Sequence, residues 1–312
     1  MHWRNFLLLS LLLFPSALKA QDDFSWNNLV DWDGTTHWYR YMILSPGFQG
    51  PNALPVPESN QAIVLSSSSF TLETYQHAAP GDFTTNLFLR YYASYWDSRI
   101  AVEVNMVPLE YYRLSTAIRD ERKLRSASPR GVVPGDLSFG THIQLFRDHS
   151  VLPDASLSVF FRTASGRGSE DGRYIDAPGY YFTLNAGKSW KELIPQGNLR
   201  WFFQGGFYAW QTNLDNYYQN DAVVFGAGLS GEYNNWNATV SIDSYWGYLG
   251  RKNRVIVETS SKPYSYSGDE PVVFRFRIGY KLKTIDYSIK YQYGIQDFPY
   301  QSIGLGINFK LS

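Results

Sequence analysis

The sequence predicts an all-β fold, a membrane-spanning, up-and-down antiparallel barrel of about twelve strands that comes after an irregular N-terminal segment. Three observations carry this. Apolar and polar residues alternate with period two from about Gln61 to the end. Connections between the alternating runs are short and long in turn. Aromatic residues gather at both ends of the runs, as a bilayer's two interfaces select.

The chain has 312 residues, no cysteine, and 28 basic against 28 acidic side chains. Mean hydropathy is −0.31, too polar for a bundle of membrane helices. Barrel strands average out in this way, because lipid-facing apolar residues alternate with polar lumenal ones. Without cysteine there are no disulfides, thiolate metal sites or cysteine nucleophiles. Aromatics make up 17% of the chain, and Tyr and Trp favour membrane interfaces.

The first twenty residues read as a cleaved secretory signal peptide. Arg4 supplies positive charge, Phe6 to Phe14 is an apolar run, and Ala20 ends a small-residue site. That run is too short to cross ~30 Å of hydrocarbon as an anchor.

Residues 21–60 differ in character from the alternating remainder of the chain. They hold Trp26, Trp32 and Trp38, and a Pro/Gly stretch with Pro51, Pro55 and Pro57. Proline lacks a backbone donor and does not sit inside a sheet. The segment is expected either as a plug in the periplasmic part of the lumen or as a periplasmic arm at the barrel mouth. As a plug, it would offer Asp22, Asp23, Asp31 and Asp33 to lumenal cations and gate the barrel.

Residues 61–312 form the barrel. The twelve expected strands are Gln61–Gln76, Asp82–Tyr95, Arg99–Leu114, Asp136–Phe146, Ala155–Ala164, Gly179–Trp190, Asn198–Gln211, Ala222–Tyr233, Trp236–Tyr248, Val272–Leu282, Ile285–Gly294 and Gln301–Leu311. Short turns such as Trp96–Ser98, Asn234–Asn235 and Lys283–Thr284 belong on the periplasmic side. Long connections such as Ser115–Gly135 and Ser165–Pro178 belong outside. One aromatic band comprises Tyr95, Trp190, Trp201, Tyr233, Trp236, Tyr280, Tyr287 and Phe309. The other comprises Tyr111, Tyr180, Phe207, Phe225, Tyr245, Tyr293 and Tyr300.

Together these features resemble Gram-negative outer-membrane barrels over roughly Gln61 to Ser312. The ending Ile303–Ser312 is similar to the C-terminal assembly strand of that class, though it closes on Ser312 rather than an aromatic. Gly135-Asp-Leu-Ser-Phe-Gly140 resembles, over six residues only, a strand of small hydrophobic-compound transporters such as the MetA-pathway phenol-degradation family. The resemblance implies an outer-membrane location, contact with outer-membrane lipid and lipopolysaccharide, and insertion by the barrel assembly machinery. The sequence carries no phosphate-binding Gly loop and no zinc motif, so no cofactor and no nucleic-acid partner is expected.

The alternation selects a lumenal set: Arg90, Glu103, His142, Gln144, Arg162, Arg200, Gln204, Glu232, Asp243, Arg275, Arg277 and Lys290. A charge facing lipid at mid-depth costs ~2–4 kcal/mol, which fixes the register. This set would line a path for a small solute, favouring anions, or would pair internally and close the lumen. Outer-membrane phospholipases carry a His-X-Ser unit facing lipid. Here His142 is followed by Ile143 and Gln144, and it points inward. The acidic, Gly-rich run Gly166–Arg173, with Asp176, lacks the spacing of a calcium loop and reads as a solvated outer loop. The five His show no metal-ligand spacing. Solute passage is the favoured function; a lipid-modifying enzyme and a closed structural barrel are the alternatives.

Overall fold

The computed structural model describes residues 24–42, 44–190, 197–210, 220–247 and 270–311. The expected signal peptide and Asp22 and Asp23 lie outside the described residues. Among these, no helix is long and apolar enough to cross a membrane; the crossing is made by strands.

The wall consists of β1 (Ser68–Ala79), β2 (Asp82–Tyr95), β3 (Ile100–Leu114), β5 (Leu137–Phe146), β6 (Asp154–Arg162), β7 (Gly179–Trp190), β8 (Gly197–Trp210), β9 (Asn220–Tyr233), β10 (Trp236–Gly247), β11 (Val272–Lys281), β12 (Ile285–Gln296) and β13 (Gln301–Leu311). Each pairs antiparallel with its neighbour, and β1 pairs with β13 from Ser68↔Leu311 to Ala78↔Gln301. The sheet thus closes on itself and has no free edge through the wall. The extra strand β4 (Arg130–Val133) hairpins onto the upper end of β3, with Tyr111 opposite Val132. Four residues inside a long connection gave no periodic signal in the sequence.

The wall obeys the expected alternation. Leu184, Phe203, Ile242, Ile289 and Leu305 stand outward and exposed, where hydrocarbon covers them. Asn86, Asn185, Gln204 and Asp243 point inward and are buried. At the interfaces, Trp236 packs edge-on against Tyr280, and Phe225 against Trp246. Two expected members of the outer band are misplaced. Tyr245 shares the inward parity of Asp243 and is fully buried, whereas Trp246 faces out; Tyr300 is likewise buried inside.

The first wall strand begins at Ser68, not Gln61. Gln61 to Ser67 still belongs to the N-terminal segment, which occupies the lumen. The segment fills the lumen as a plug would, but it enters from the end with the long loops, which is not the end expected for it. The helix α1 (Trp26–Val30) and the 3₁₀ turn Trp38–Tyr41 lie at the end with the long loops. There the Trp26 indole donates to the Lys123 carbonyl at 3.0 Å. Tyr39 and Met42 pack with Tyr112, Leu114 and Leu124. From there the chain runs down inside the barrel. It reaches the short-turn end at Leu65, whose N–H donates to the Tyr92 hydroxyl, and turns into β1.

Long loops fold inward too. The helix α2 (Thr116–Glu121), capped by Ser115, supports this end. The expected solvated loop Gly166–Arg173 is not solvated at its end: Arg173, Tyr174 and Ile175 are buried. Asp176 has its own interactions, and among the described residues no group of three acids or histidines converges as a metal site. What draws the loop in is the charge of Arg173, which finds buried carboxylates inside the barrel.

Candidate functional site

The lumen must satisfy an extended peptide that belongs to no sheet. Buried backbone N–H and C=O groups need partners, and the inward side chains provide them. Arg162 donates to the Ala53 carbonyl. Arg275 Nη2 donates to Val56 O at 2.7 Å, Gln204 Nε2 to Pro57 O at 3.4 Å, and Arg200 Nε to Gln61 O at 2.9 Å. Gln144 bridges both ways: its Nε2 donates to Ala62 O at 2.9 Å, and its Oε1 accepts from Val64 N at 2.8 Å. Asp243 accepts from the Ser59 N–H at 3.0 Å and from its hydroxyl. Pro51, Pro55 and Pro57 carry no N–H and reduce the number of donors to be satisfied. Many lumenal arginines and glutamines are therefore partners of backbone carbonyls, a role that strand parity alone does not reveal.

The lumen at the long-loop end is locked by an ionic cluster. Asp82 accepts from Arg122 at 2.7 Å, Arg173 at 2.9 Å and the Tyr300 hydroxyl at 2.6 Å. Glu110 accepts from Tyr174 at 2.8 Å and from Asn52 at 2.7 Å. Tyr300 also approaches Gln49 O at 2.9 Å. Burial works against the Arg173 charge, but Asp82, Tyr300 and Glu110 outweigh it and hold the guanidinium above its usual pKa. One cluster thus ties three connections, the N-terminal segment and the wall together. Beside it, Leu54, Val56, Ile175, Trp210, Tyr245 and Phe298 form a common apolar core.

Asp31 and Asp33 do not meet lumenal cations. Asp31 ends α1. Asp33 is exposed, and hydrogen bonds from the Thr36 side chain, then the Thr36 and Thr35 backbones, lower its pKa to about 2. The acid that does enter the lumen is Glu58, the one charged residue between Leu44 and Ser67. A single acid in a Pro-rich run carried no sequence signal.

A cavity of about 850 Å³ runs along the segment. Of the expected lumenal residues, Arg90, Glu103, His142, Arg162, Arg200, Glu232, Arg275, Arg277 and Lys290 line it. Gln144, Gln204 and Asp243 instead hold the segment through hydrogen bonds to its backbone. Most basic side chains here are paired. Arg200 meets Asp154 at 2.8 Å, Arg275 meets Asp243 at 2.6 Å, Lys290 meets Glu73 at 3.0 Å and Lys281 meets Glu232 at 2.6 Å.

Glu103, His142 and Ser158 form a line, with Nε2 3.2 Å from the Glu103 carboxylate and Nδ1 2.9 Å from Ser158 Oγ. This has the order of a nucleophile, base and acid. However, Ser158 Oγ already accepts from Asn185 at 3.0 Å. Its strand is paired on both sides, with His142 and Thr183 opposite Ser158, so ladder bonds engage the neighbouring backbone N–H groups that an oxyanion would need. The trio is a hydrogen-bond chain of the lumen wall.

A closed twelve-stranded barrel with an apolar outer belt and a polar, threaded lumen defines the class: this is the fold of outer-membrane β-barrels. The chain resembles the COG4313 outer membrane channel from Pseudomonas putida F1, with a TM-score of 0.53 and 13% identity, over 82% of this chain and 100% of that one. It also resembles the transport unit of the autotransporter AIDA-I from Escherichia coli (TM-score 0.46, 8% identity, 84% of this chain and 94% of that one). A third similar structure is the KdgM porin (TM-score 0.42, 7% identity, 78% of this chain and 99% of that one). No protein-family model and no curated protein matches the sequence.

Proposed function

We propose that the protein is an outer-membrane channel for a small solute, held shut at rest by residues 49–65. One observation carries this reading. A polar cavity of about 850 Å³ runs beside a segment fixed by single hydrogen bonds to side chains, not by a β-ladder. Such bonds contribute about 1 kcal/mol each net, somewhat more when one partner is charged. A segment held this way can shift without opening the wall. A purely structural barrel has no need of a polar path beside its filling. In this reading, residues 1–20 direct export from a Gram-negative cytoplasm. The outward belt meets outer-membrane lipid and lipopolysaccharide after insertion by the assembly machinery.

The experiment is conductance of a variant lacking residues 24–58 in planar bilayers. Heat-modifiable migration on gels reports whether its barrel is folded. The expected result is a conductance well above that of the intact protein. A folded deletion variant conducting no better than the intact protein overturns the reading.

A further inference from the structure

Two lumenal cations stand apart from the paired set. Among the described residues Arg90 and Arg277 make no ion pair, and the Nε of each is buried without a hydrogen-bond partner, although Arg90 feels the Glu103 and Glu73 carboxylates as well as Glu58. Both line the cavity, beside Arg275 and Lys290. The stretch of wall between Arg90 and Lys290 leaves room for an occupant: β1 and β13 separate their strands, and Gly304 is the cross-strand partner of Lys290. On β13 the inward positions include Gly304 and Gly306, and a Cβ on Gly304 would stand 2.5 Å from the Tyr75 ring. Tyr75 can therefore lie flat against the strand, and the space before the cations stays open.

Glu58 projects into this space. Its side chain is exposed to the cavity and lies in the field of Lys290, Arg275, Arg277 and Arg90. It makes no ion pair with any of them among the described residues. The segment's one charge is thus a carboxylate on a short flexible stem, held near a cation belt by attraction without being bonded to it. Four cations converging on one confined space make that attraction favourable, and a free anion of the same kind would compete for it.

We propose that Arg90, Arg275, Arg277 and Lys290 form a binding site for small organic carboxylates, and that Glu58 is the resident competitor. A bound carboxylate displaces Glu58, so the solute itself loosens residues 49–65. The carboxylate class follows from the occupant: the site already accommodates a singly charged carboxylate at the end of a methylene chain. This rests on the channel reading for its purpose, but the site can be tested without any conductance.

The test uses purified full-length protein in detergent, with propionate as the side-chain analogue of glutamate. Sodium chloride at equal ionic strength and neutral propionamide are the controls. In the intact protein, propionate should speed hydrogen exchange of amides in residues 58–65 several-fold, because it competes with Glu58. In Glu58→Ala the effect should reverse in sense: the empty site is filled, so propionate raises Tm. Adding Arg90→Gln and Arg277→Gln to Glu58→Ala should abolish that rise. Equal effects of chloride and propionate overturn the carboxylate site, as does a Tm rise that survives loss of both arginines. If these fail while the 24–58 deletion still conducts, the channel reading stands and the carboxylate site falls.

Discussion

The Arg275 guanidinium grips the Val56 carbonyl at 2.7 Å, so a wall strand holds the lumenal segment by its backbone. The same side chain reaches Asp243 at 2.6 Å, and Asp243 in turn accepts from Ser59. One coupled pair of wall residues thus fixes the segment at both Val56 and Ser59. Arg275→Ala removes a charged hydrogen bond and leaves a carbonyl and a carboxylate short of a partner, at a cost of about 1.5–3 kcal/mol. Hydrogen exchange in residues 56–60 should accelerate while exchange in the strands does not. Unchanged exchange there would show that the segment is held by something else.

The in/out register predicts unequal tolerance of charge. Leu305 faces outward and is 55% exposed in the isolated protein; Leu305→Arg buries a charge in hydrocarbon at a cost of ~2–4 kcal/mol. Asn308 lines the cavity, so Asn308→Arg is expected to be mild. Folding yield into liposomes measures both. Equal losses would mean that the strand phase is wrong.

Gly304 permits Tyr75 to lie against β13. Gly304→Val places methyl groups where the Tyr75 ring sits and should drive that ring into the cavity. The expected outcome is a folded barrel whose 24–58 deletion form conducts less than the deletion form carrying Gly304. Equal conductance would place Tyr75 outside the solute path.

Loop length predicts which end sees the cell exterior, and the start of the lumenal segment lies at that end. Cysteines placed at Thr35 and Ser128, both exposed at the long-loop end, should react with a membrane-impermeant maleimide in intact cells. One at Val151, exposed on a short turn, should not. A labelled Val151→Cys with a protected Thr35→Cys would invert the topology.

The wall was legible from alternation because lipid imposes it. β2, β7 and β13 have the ends that the pattern predicts, since in each the alternation runs the whole length of the strand. The N-terminal boundary was not legible. Gln61 to Leu65 alternates like a wall strand, but its two faces meet the barrel wall and the cavity. Ala62 and Val64 press against the wall, while Ile63 and Leu65 border the cavity. Period two reports two different faces without saying what covers them. The cavity residues followed from parity, whereas their partners did not, because a hydrogen bond from Arg200 to the Gln61 carbonyl leaves no side-chain signature. The apolar area of their indoles asks for burial of Trp26, Trp32 and Trp38; Trp26 is buried but Trp32 is 38% exposed, because the end of the barrel that provides cover depends on the path of the whole segment. Glu58 was missed because its meaning lies in the four cations around it, which come from three distant strands.

The central claim is that residues 49–65 must move for solute to pass. A Cβ at Gly226 would meet both the Ser59 hydroxyl and the Asp243 carboxylate, so Ser59→Cys with Gly226→Cys puts the two side chains in contact, and the bridge closes as the Asp243 carboxylate turns aside. The chain has no native cysteine, and no other disulfide can form. The measurement is conductance of this double variant in planar bilayers before and after reduction. Opening events should be absent while the bridge holds the segment to β9, and should appear when it is reduced. Equal conductance in the two states, with the bridge shown complete by mass, would contradict the account.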